Sequence, residues 1–215
     1  MKSVALMSRK PGMTRADFRD YYEKNHTVLG MRYFEFRKYI RNHVVEPPEG
    51  AFDVFSEFWQ ADIPKVYAAM AGPIGDLMRK DGSKFIDRSQ QRLANAVETL
   101  IAGAPRGVDP TPTPKTSLFL TMAPGADRSH FLDAVARWGA EIAEAAPDEI
   151  RRVTMDIIAP FENAPFPYDA IICLWHRKDA ADIASAPPKE VVLAAKATLE
   201  SCETPPDVLS KSYMG

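Results

Sequence analysis

The chain contains an internal repeat, in which segments of matching pattern occur twice in the same order. The segment PGMTRADF at Pro11–Phe18 returns as PGADRSHF at Pro124–Phe131, and FDVFSEFW at Phe52–Trp59 returns as YDAIICLW at Tyr168–Trp175. Each half of the 215-residue chain therefore has the size of a small domain. We predict a first domain at residues 1–103 and a second domain, a degenerate copy of the first, at residues 115–215. A Pro-rich linker at residues 104–114 joins them.

Apolar spacing and turn residues predict the order β-α-β-β-α-β in each half. Thr14 is the predicted N-cap of the first helix, with Asp17 in the capping-box position. The elements predicted for the first half are strands at Val4–Met7, Arg37–Val45, Asp53–Trp59 and Ala94–Ile101, helices at Arg15–Asn25 and Ile63–Met70, a helical turn at Ile74–Lys80 and a tight turn at Pro47–Gly50. Those predicted for the second half are strands at Ser117–Thr121, Arg152–Ile158, Asp169–Trp175 and Val208–Tyr213, and helices at Ser129–Ala145 and Lys189–Thr198.

This order is that of a split β-α-β unit, which folds into a ferredoxin-like domain of the α+β class. Helices cover one face of the antiparallel sheet in such a unit and leave the other face open. An open apolar face is costly in water, so we predict that the two sheets pack together as an intrachain dimeric α/β barrel, a pseudo-dimer. The alternative is two independent domains on a Pro-rich linker.

The overall charge and composition argue against several classes of protein. The formal net charge is −2 and Lys and Arg do not cluster, so we expect neither nucleic acid nor an anionic membrane as a partner. No apolar run approaches the roughly 20 residues that a membrane helix needs. Cys173 and Cys202 lack the spacing of a redox or zinc motif, and we expect a cytoplasmic protein without a structural disulfide.

The two halves differ in the polar residues that follow the start of the first helix. The first half has Tyr21, Tyr22, Lys24, Asn25 and His26, whereas the second has Ala134, Val135, Arg137, Trp138 and Gly139. Only one copy has kept side chains that can do chemistry. The difference predicts a functional site in the first half and a supporting role for the second.

His26 is the main catalytic candidate. At roughly 100° per residue it lies about 80° from Phe18, at the edge of the buried face of the first helix. The pKa of imidazole lies nearest neutrality, so His26 can take or give a proton, and a helix C-terminus would favour its charged form. The alternative is a histidine that caps the helix and has no catalytic task.

The second strand offers either His43 or Asn42 to the site. Period-two alternation places Tyr39, Arg41 and His43 on one face and Ile40, Asn42 and Val44 on the other. If the first face meets the helices, His43 can pair with His26 or reach a substrate. If the second face does, Asn42 is the polar group of the cavity and His43 faces the space between the sheets.

Asp87 is the candidate carboxylate of the site. A carboxylate beside a histidine can fix its tautomer and stabilise the imidazolium. Asp87 would then act as a catalytic partner of His26. The alternative is a turn residue whose carboxylate accepts backbone N–H bonds near Ser89.

Aromatic and apolar side chains of the first half are predicted to bind a substrate. Tyr21 and Tyr22 can offer phenol hydroxyls to a carbonyl or enolate oxygen, although tyrosines on a helix are more often core residues. Phe55, Trp59 and Met70 are predicted to line an apolar pocket. The sequence has neither a metal-ligand motif nor a glycine-rich phosphate loop, so we predict no metal and no cofactor.

The first half resembles the EthD-like family of the dimeric α/β-barrel superfamily. The segments that carry the resemblance are KPGMTRADFRDYYEKNH at Lys10–His26, KYIRNHV at Lys38–Val44, FDVFSEFW at Phe52–Trp59 and KFIDRSQ at Lys84–Gln90. The resemblance implies a flat, apolar, often aromatic ligand held between the sheet and the helices. EthD-like proteins are implicated in ether degradation, and relatives in the superfamily include cofactor-free monooxygenases, polyketide cyclases, dehydratases, isomerases and haem enzymes. If haem were bound here, His176 would be the first position to inspect as its ligand.

These observations give three hypotheses of function. The first is a cofactor-independent enzyme in which His26 performs acid–base catalysis on an aromatic or polyketide-like molecule, by dehydration, cyclisation or isomerisation. The second is a cofactor-free monooxygenase that uses the same base. The third is a non-catalytic protein that binds a small apolar ligand or assists a degradation pathway. A fused pair of domains can act alone or form a homodimer.

Overall fold

A computed structural model describes residues 2–46, 52–105, 107–109, 111–162, 164–178 and 185–214. The predicted turn at Pro47–Gly50 lies outside these residues, as do Arg106 and Pro110 of the predicted linker. The strands are β1 (Lys2–Met7), β2 (Phe36–Glu46), β3 (Val54–Gln60), β4 (Arg92–Gly103), β5 (Thr113–Met122), β6 (Ile150–Pro160), β7 (Ala170–His176) and β8 (Val191–Glu203). The helices are α1 (Arg15–Tyr21), a π-helical turn (Tyr22–His26), α2 (Thr27–Tyr33), α3 (Ile63–Ala71), α4 (Pro73–Gly82), α5 (Arg128–Ala145) and α6 (Pro206–Ser212).

The strands form one closed antiparallel sheet in the order β1-β3-β2-β8-β5-β7-β6-β4. Each half of the chain contributes four neighbouring strands, and the halves are joined where β2 pairs with β8 and β4 pairs with β6. Both halves thus share one hydrogen-bonded barrel, which closes the edges that each four-stranded sheet would leave open. The alternative of two independent domains is wrong, and the predicted linker is shorter than expected because β5 already begins at Thr113.

Alternation along the strands sorts side chains between the inside of the barrel and its outer surface. Ile40, Val44 and Phe55 belong to the apolar cluster inside the barrel. Phe18 and Tyr22 pack with outward-facing residues of β1 and β3 in a separate cluster beneath α1. A third cluster lies between α5 and the second half of the sheet. Within the described residues, no helix is both long and apolar enough to cross a membrane.

The start of the first helix in each half is built in the same way. Thr14 caps α1 by accepting from the backbone N–H of Asp17, as predicted, and Asp127 caps α5. Asp53 accepts from the backbone N–H of Arg9 at 2.8 Å, and Asp169 accepts from that of Met122 at 2.8 Å. The repeated Pro-Gly and Asp-to-Trp motifs therefore hold equivalent strand–helix junctions.

Two elements predicted for the second half are wrong. The segment predicted as a helix at Lys189–Thr198 lies mostly in strand β8, and the strand predicted at Val208–Tyr213 lies mostly in helix α6. The alanines of β8 suggest a helix, but the strand pairs with both β2 and β5 and turns Ala197 and Leu199 into the barrel. Tertiary pairing outweighs the local helix propensity of alanine. In α6, Pro206 stands at the first helical position, where its missing N–H costs nothing.

Candidate functional site

A π-helical turn interrupts the first helix of the chain at the residues predicted to carry the site. The backbone N–H of Thr27 donates to the carbonyl of Tyr22, five residues earlier, and the helix then continues as α2 to Tyr33. The prediction that the helix ends near Asn25, with His26 at its C-terminus, is therefore wrong. Turns of this kind are rare and occur often at functional sites, because the extra residue changes which side chains face inward.

A cavity of about 330 Å³ lies beneath this turn, between the outer face of the first half of the sheet and the surrounding helices. Its volume is in the range of pockets that hold small organic molecules. Among the residues that the structure describes, the lining includes no Asp, Glu, Lys or Arg side chain. The lining residues are Ser3, Ala5, Met7, Tyr22, His26, Gly30, Phe34, Phe36, Tyr39, Phe58, Gln60, Val66, Tyr67, Met70, Met78, Gln91, Leu93 and Phe161.

His26 contributes an imidazole to the wall of this cavity. Its Nδ1 lies 2.8 Å from Oδ2 of Asp81, and its side chain is only 14% exposed. Burial lowers the pKa of His26 below its ordinary value, although the Asp81 carboxylate opposes that shift. The imidazole is therefore neutral near pH 7. This environment favours the neutral ring of His26, whereas a position at a helix C-terminus would have favoured the charged ring.

Asp81 connects His26 to a second group, Tyr21. The Tyr21 hydroxyl donates to Oδ1 of Asp81 at 2.6 Å, and the exposed Lys84 ammonium donates to the same oxygen at 3.1 Å. Burial would raise the pKa of Asp81, but the hydrogen bonds from Tyr21 and His26 outweigh it and lower that pKa. An ionised Asp81 accepts a hydrogen bond from the Nδ1–H of His26. Nε2 is then the ring nitrogen without a proton, and it is the basic atom of His26.

Two tyrosine hydroxyls and a serine form a buried chain beside the cavity. The Tyr39 hydroxyl donates to that of Tyr22 at 3.0 Å, and the Tyr22 hydroxyl lies 2.7 Å from Oγ of Ser56. Both tyrosine rings line the cavity. Burial raises the pKa of each tyrosine, so both hydroxyls stay protonated and can donate hydrogen bonds.

Stacked aromatic rings form one wall of the cavity. The rings of Phe36 and Tyr39 stack at 4.9 Å, and those of Tyr39 and Phe58 stack at 5.0 Å. Phe34 lies against Phe36 with ring centroids 6.2 Å apart. A wall of parallel rings favours a flat aromatic ligand, which can add to the stack.

The structure brings some of the predicted site residues together and separates others. Tyr22, His26 and Met70 line the cavity, and Tyr21 is bonded to the carboxylate that holds His26. Asp87 does not contact His26; its carboxylate accepts from the backbone N–H of Ser89 at 3.0 Å, which is the turn alternative. The partner of His26 is Asp81 instead.

His43 faces the helices, but it pairs with a different residue from the one predicted. Its Nε2 lies 2.6 Å from Oε1 of Glu23, and Oε2 of the same carboxylate accepts from the Arg41 guanidinium at 2.7 Å. Burial would raise the pKa of Glu23, yet the bonds from His43 and Arg41 lower it to about 2. His43 is absent from the lining of the cavity, and this cluster lies beside the seam between β2 and β8.

The remaining predicted residues point into the barrel, on the opposite side of the sheet from the cavity. Asn42 donates to Oε2 of Glu57 at 2.9 Å, and Phe55 is part of the barrel core. Trp59 packs against that core and carries the Lys2 ammonium 4.7 Å from its ring. Their positions follow from strand alternation, since Asn42 lies between the helix-facing residues Arg41 and His43. Likewise, Phe55 and Trp59 lie an odd number of residues from the cavity residue Phe58.

Asp81 is the functional candidate that sequence reasoning missed. It lies 55 residues from His26 in the chain, three residues before the KFIDRSQ motif, and no local pattern marks it. Strand alternation groups Tyr39 with Arg41 and His43 on one face, but it does not assign Tyr39 to the site. In the second half, Phe131, Val135 and Trp138 of α5 pack closely against the sheet. His176, the position considered for haem, lies in β7 with Nε2 2.9 Å from the Thr116 hydroxyl.

Fold and site together define an α/β protein with a closed antiparallel sheet and an apolar cavity lined by a histidine that is hydrogen-bonded to an aspartate. Residues 10–89, which include α1, the π-helical turn and Asp81, match the model of the EthD domain. The match covers the part of the chain whose motifs resemble the EthD-like family, as predicted for the first half.

Comparison with solved structures shows the same overall fold elsewhere. An anthrone oxidase-like protein is 10% identical, covers 94% of this chain and 91% of its own, and has a TM-score of 0.60. A putative monooxygenase from Fusobacterium nucleatum subsp. nucleatum is 9% identical, covers 93% of this chain and 91% of its own, and has a TM-score of 0.55. At such identities the likeness establishes the fold alone. No curated protein sequence matches the chain significantly.

Proposed function

We propose that the protein is an enzyme in which His26 acts as a general base on a flat, apolar aromatic molecule bound in the cavity. The observation that carries the proposal is the bond of 2.8 Å between His26 Nδ1 and Asp81 at the wall of this cavity. It fixes the tautomer and leaves Nε2 free of the proton, in a neutral ring whose pKa is lowered by burial.

The neighbouring hydroxyls suit the charge that such a proton transfer creates. Removal of a proton from a phenol or an activated carbon leaves a negative oxygen on the substrate. The Tyr22 hydroxyl is the nearby donor, because it accepts from Tyr39 and its own proton can reach a ligand in the cavity when Ser56 donates to it. A donor already held in a hydrogen-bond chain stabilises a developing oxyanion with little reorganisation. Asp81 meanwhile stabilises the imidazolium that forms on His26.

Two classes of reaction begin with this step. Oxidation of the substrate anion by dioxygen would make the protein a cofactor-free monooxygenase, and this class agrees with the descriptions of the structures that share the fold. Return of the proton to a leaving hydroxyl would make it a dehydratase or cyclase. We favour oxygenation, and we retain lyase chemistry as the second candidate because the same base serves both.

The test compares His26→Gln with a matched control, His130→Gln, whose side chain is 78% exposed on α5. Both variants are incubated with a panel of hydroxynaphthalenes and anthrones, and dioxygen uptake and products are measured by electrode and mass spectrometry. We expect His26→Gln to lower turnover roughly 100-fold or more with ligand binding retained, since general-base catalysis contributes about that much. His130→Gln should behave as wild type.

The outcomes separate the candidate functions. Products formed without dioxygen uptake support the lyase, and ligands that bind without any turnover support the non-catalytic alternative. Equal turnover by His26→Gln and wild type would contradict the proposal.

We also propose that the two halves are diverged copies of one ferredoxin-like unit. The repeated motifs, the equivalent roles of Asp53 and Asp169 and the matching order of four strands in each half support this relationship. The second copy would have exchanged its cavity for the packed core beneath α5. A cytoplasmic location, an apolar small-molecule substrate and assembly into a homodimer stay predictions.

A further inference from the structure

We propose that α3 is a movable lid that controls entry to the cavity and selects its ligand through Val66, Tyr67 and Met70. The inference rests on the cavity being a ligand site, as the proposed function requires. It concerns a part of the site that takes no part in the proton transfer.

Helix α3 covers the cavity without being packed into the core of the protein. Three of its apolar side chains, Val66, Tyr67 and Met70, line the cavity, yet not one residue of the helix is buried. Tyr67 is 53% exposed. An amphipathic helix ordinarily buries its apolar face in a core. Here that face lies over empty space, so a ligand would supply the contacts that the helix lacks.

The C-terminal end of α3 is fixed against α4. A Cβ atom on Gly75 would lie 1.9 Å from the Met70 carbonyl oxygen, so only glycine allows α4 to approach α3 this closely. The Arg79 guanidinium donates to the same carbonyl at 3.0 Å. Gly72 joins the two helices in extended backbone conformation. This end therefore forms one hinge of the lid.

Two residues separate α3 from β3, and the backbone N–H of Ala61 donates to the Glu35 carbonyl at 2.9 Å, so this connection is the second hinge. The first turn of α3 beyond it is held by exposed contacts. Asp62 caps the helix by accepting from the backbone N–H of Lys65 at 3.0 Å, in full contact with solvent. The Lys65 ammonium lies 5.1 Å from the ring of Tyr213, in the segment that follows α6. A cation–π contact made by an exposed ammonium stabilises only weakly. Lys65 and Tyr213 thus form a latch that thermal motion can open.

These features predict how the lid acts on a ligand. Opening at the latch exposes the stacked aromatic wall, and closing brings Val66 and Met70 against the bound molecule. Closure excludes water from the space around His26, which strengthens the interactions there. Ligands too large for the closed cavity of about 330 Å³ would hold α3 open.

The experiment uses 1-aminoanthracene, a neutral aromatic probe whose fluorescence rises in apolar surroundings, with stopped-flow detection. Lys65→Met removes the latch at an exposed position, and Lys80→Met on α4 is the matched control. We expect Lys65→Met to raise both the association and the dissociation rates at least threefold, and Lys80→Met to leave them unchanged. Gly30→Leu, which places a side chain in the cavity wall, should abolish binding and so locate the probe.

Hydrogen exchange of the full-length protein gives a second measurement that needs no turnover. The amides of α3 should exchange faster than those of α4 in the free protein and become protected when the probe binds. The lid is overturned if α3 amides are as protected as those of α4 in the free protein, if Lys65→Met and wild type bind at equal rates, or if wild type binds no probe. Failure of the proposed function looks different: His26→Gln would then turn over substrate normally while Lys65→Met still altered entry.

Discussion

At the scale of single residues, the chemistry of the site depends on two opposing effects on one imidazole. Burial lowers the pKa of His26, and the carboxylate of Asp81 raises it, with burial the larger effect. The result is a base that is unprotonated at physiological pH and still oriented by a charged partner. A histidine at the exposed end of a helix, as the sequence suggested, would have had neither property.

The Asp81→Asn variant tests this balance directly. The side chain keeps its size but loses the charge that opposes burial, so the pKa of His26 should fall further below 6.5. Nuclear magnetic resonance of the histidine ring protons as a function of pH measures the change. In any assay of turnover, the rate should rise with pH through the pKa of His26, because the proposed general base acts in its neutral form.

The control for this experiment is Asp87→Asn, which removes a carboxylate that accepts from Ser89 instead of His26. It should leave the titration of His26 unchanged. A His26 pKa that rises in Asp81→Asn would show that Asp81 does not stabilise the imidazolium.

At the scale of helices and strands, the sequence predicted the first half well and part of the second half wrongly. Capping residues such as Thr14 and Asp62 mark helix starts through local hydrogen bonds, which a sequence pattern can record. β8 forms a strand because it pairs with β2 and β5, which lie far from it in the sequence. No local sequence pattern contains information on that pairing. The same limit applies to the bond between His26 and Asp81, which joins α4 to the π-helical turn.

Glycines in two cavity-side helices give opposite predictions for one substitution. A Cβ on Gly30 in α2 would meet only Met78 Cε at 3.9 Å, an ordinary contact. Gly30→Ala should therefore raise the free energy of unfolding by roughly 0.5–1 kcal/mol, because alanine favours the helix. Gly75→Ala should lower it by more than that, since its Cβ would lie 1.9 Å from the Met70 carbonyl oxygen. Urea denaturation measures both, and equal effects of the two substitutions would contradict the packing described.

At the scale of the whole molecule, the two halves are joined by ion pairs inside the barrel as well as by strand pairing. The Lys2 ammonium of β1 lies 2.7 Å from Glu57 in β3 and 2.6 Å from Asp156 in β6. Lys115 of β5 in turn lies 2.8 Å from Glu57. Each half thus supplies a cation and a carboxylate to the other. Burial alone would lower the pKa of Lys2, but Asp156 and Glu57 raise it, so the ammonium stays charged.

The Lys2→Met variant should reveal how much this network stabilises the barrel. Removing one partner of a buried ion pair costs about 3–5 kcal/mol, because the remaining charge is then buried without an opposite charge beside it. The control is Lys24→Met, which breaks an exposed ion pair between Lys24 of the π-helical turn and Asp20 of α1. It should lower the free energy of unfolding by less than about 1 kcal/mol. Chemical denaturation at several pH values measures both variants.

The pH dependence of that loss identifies its cause. Burial raises the pKa of Asp156 to about 6 even with Lys2 present, and removal of the ammonium should raise it further. A carboxyl group whose pKa is raised by folding binds its proton more tightly in the folded state, so acid relieves the cost of burying its charge. The destabilisation by Lys2→Met should therefore be larger at pH 8 than at pH 5. A loss of equal size at both pH values would mean that Lys2 stabilises the barrel by packing of its aliphatic chain, and that charge does not specify how the halves pair.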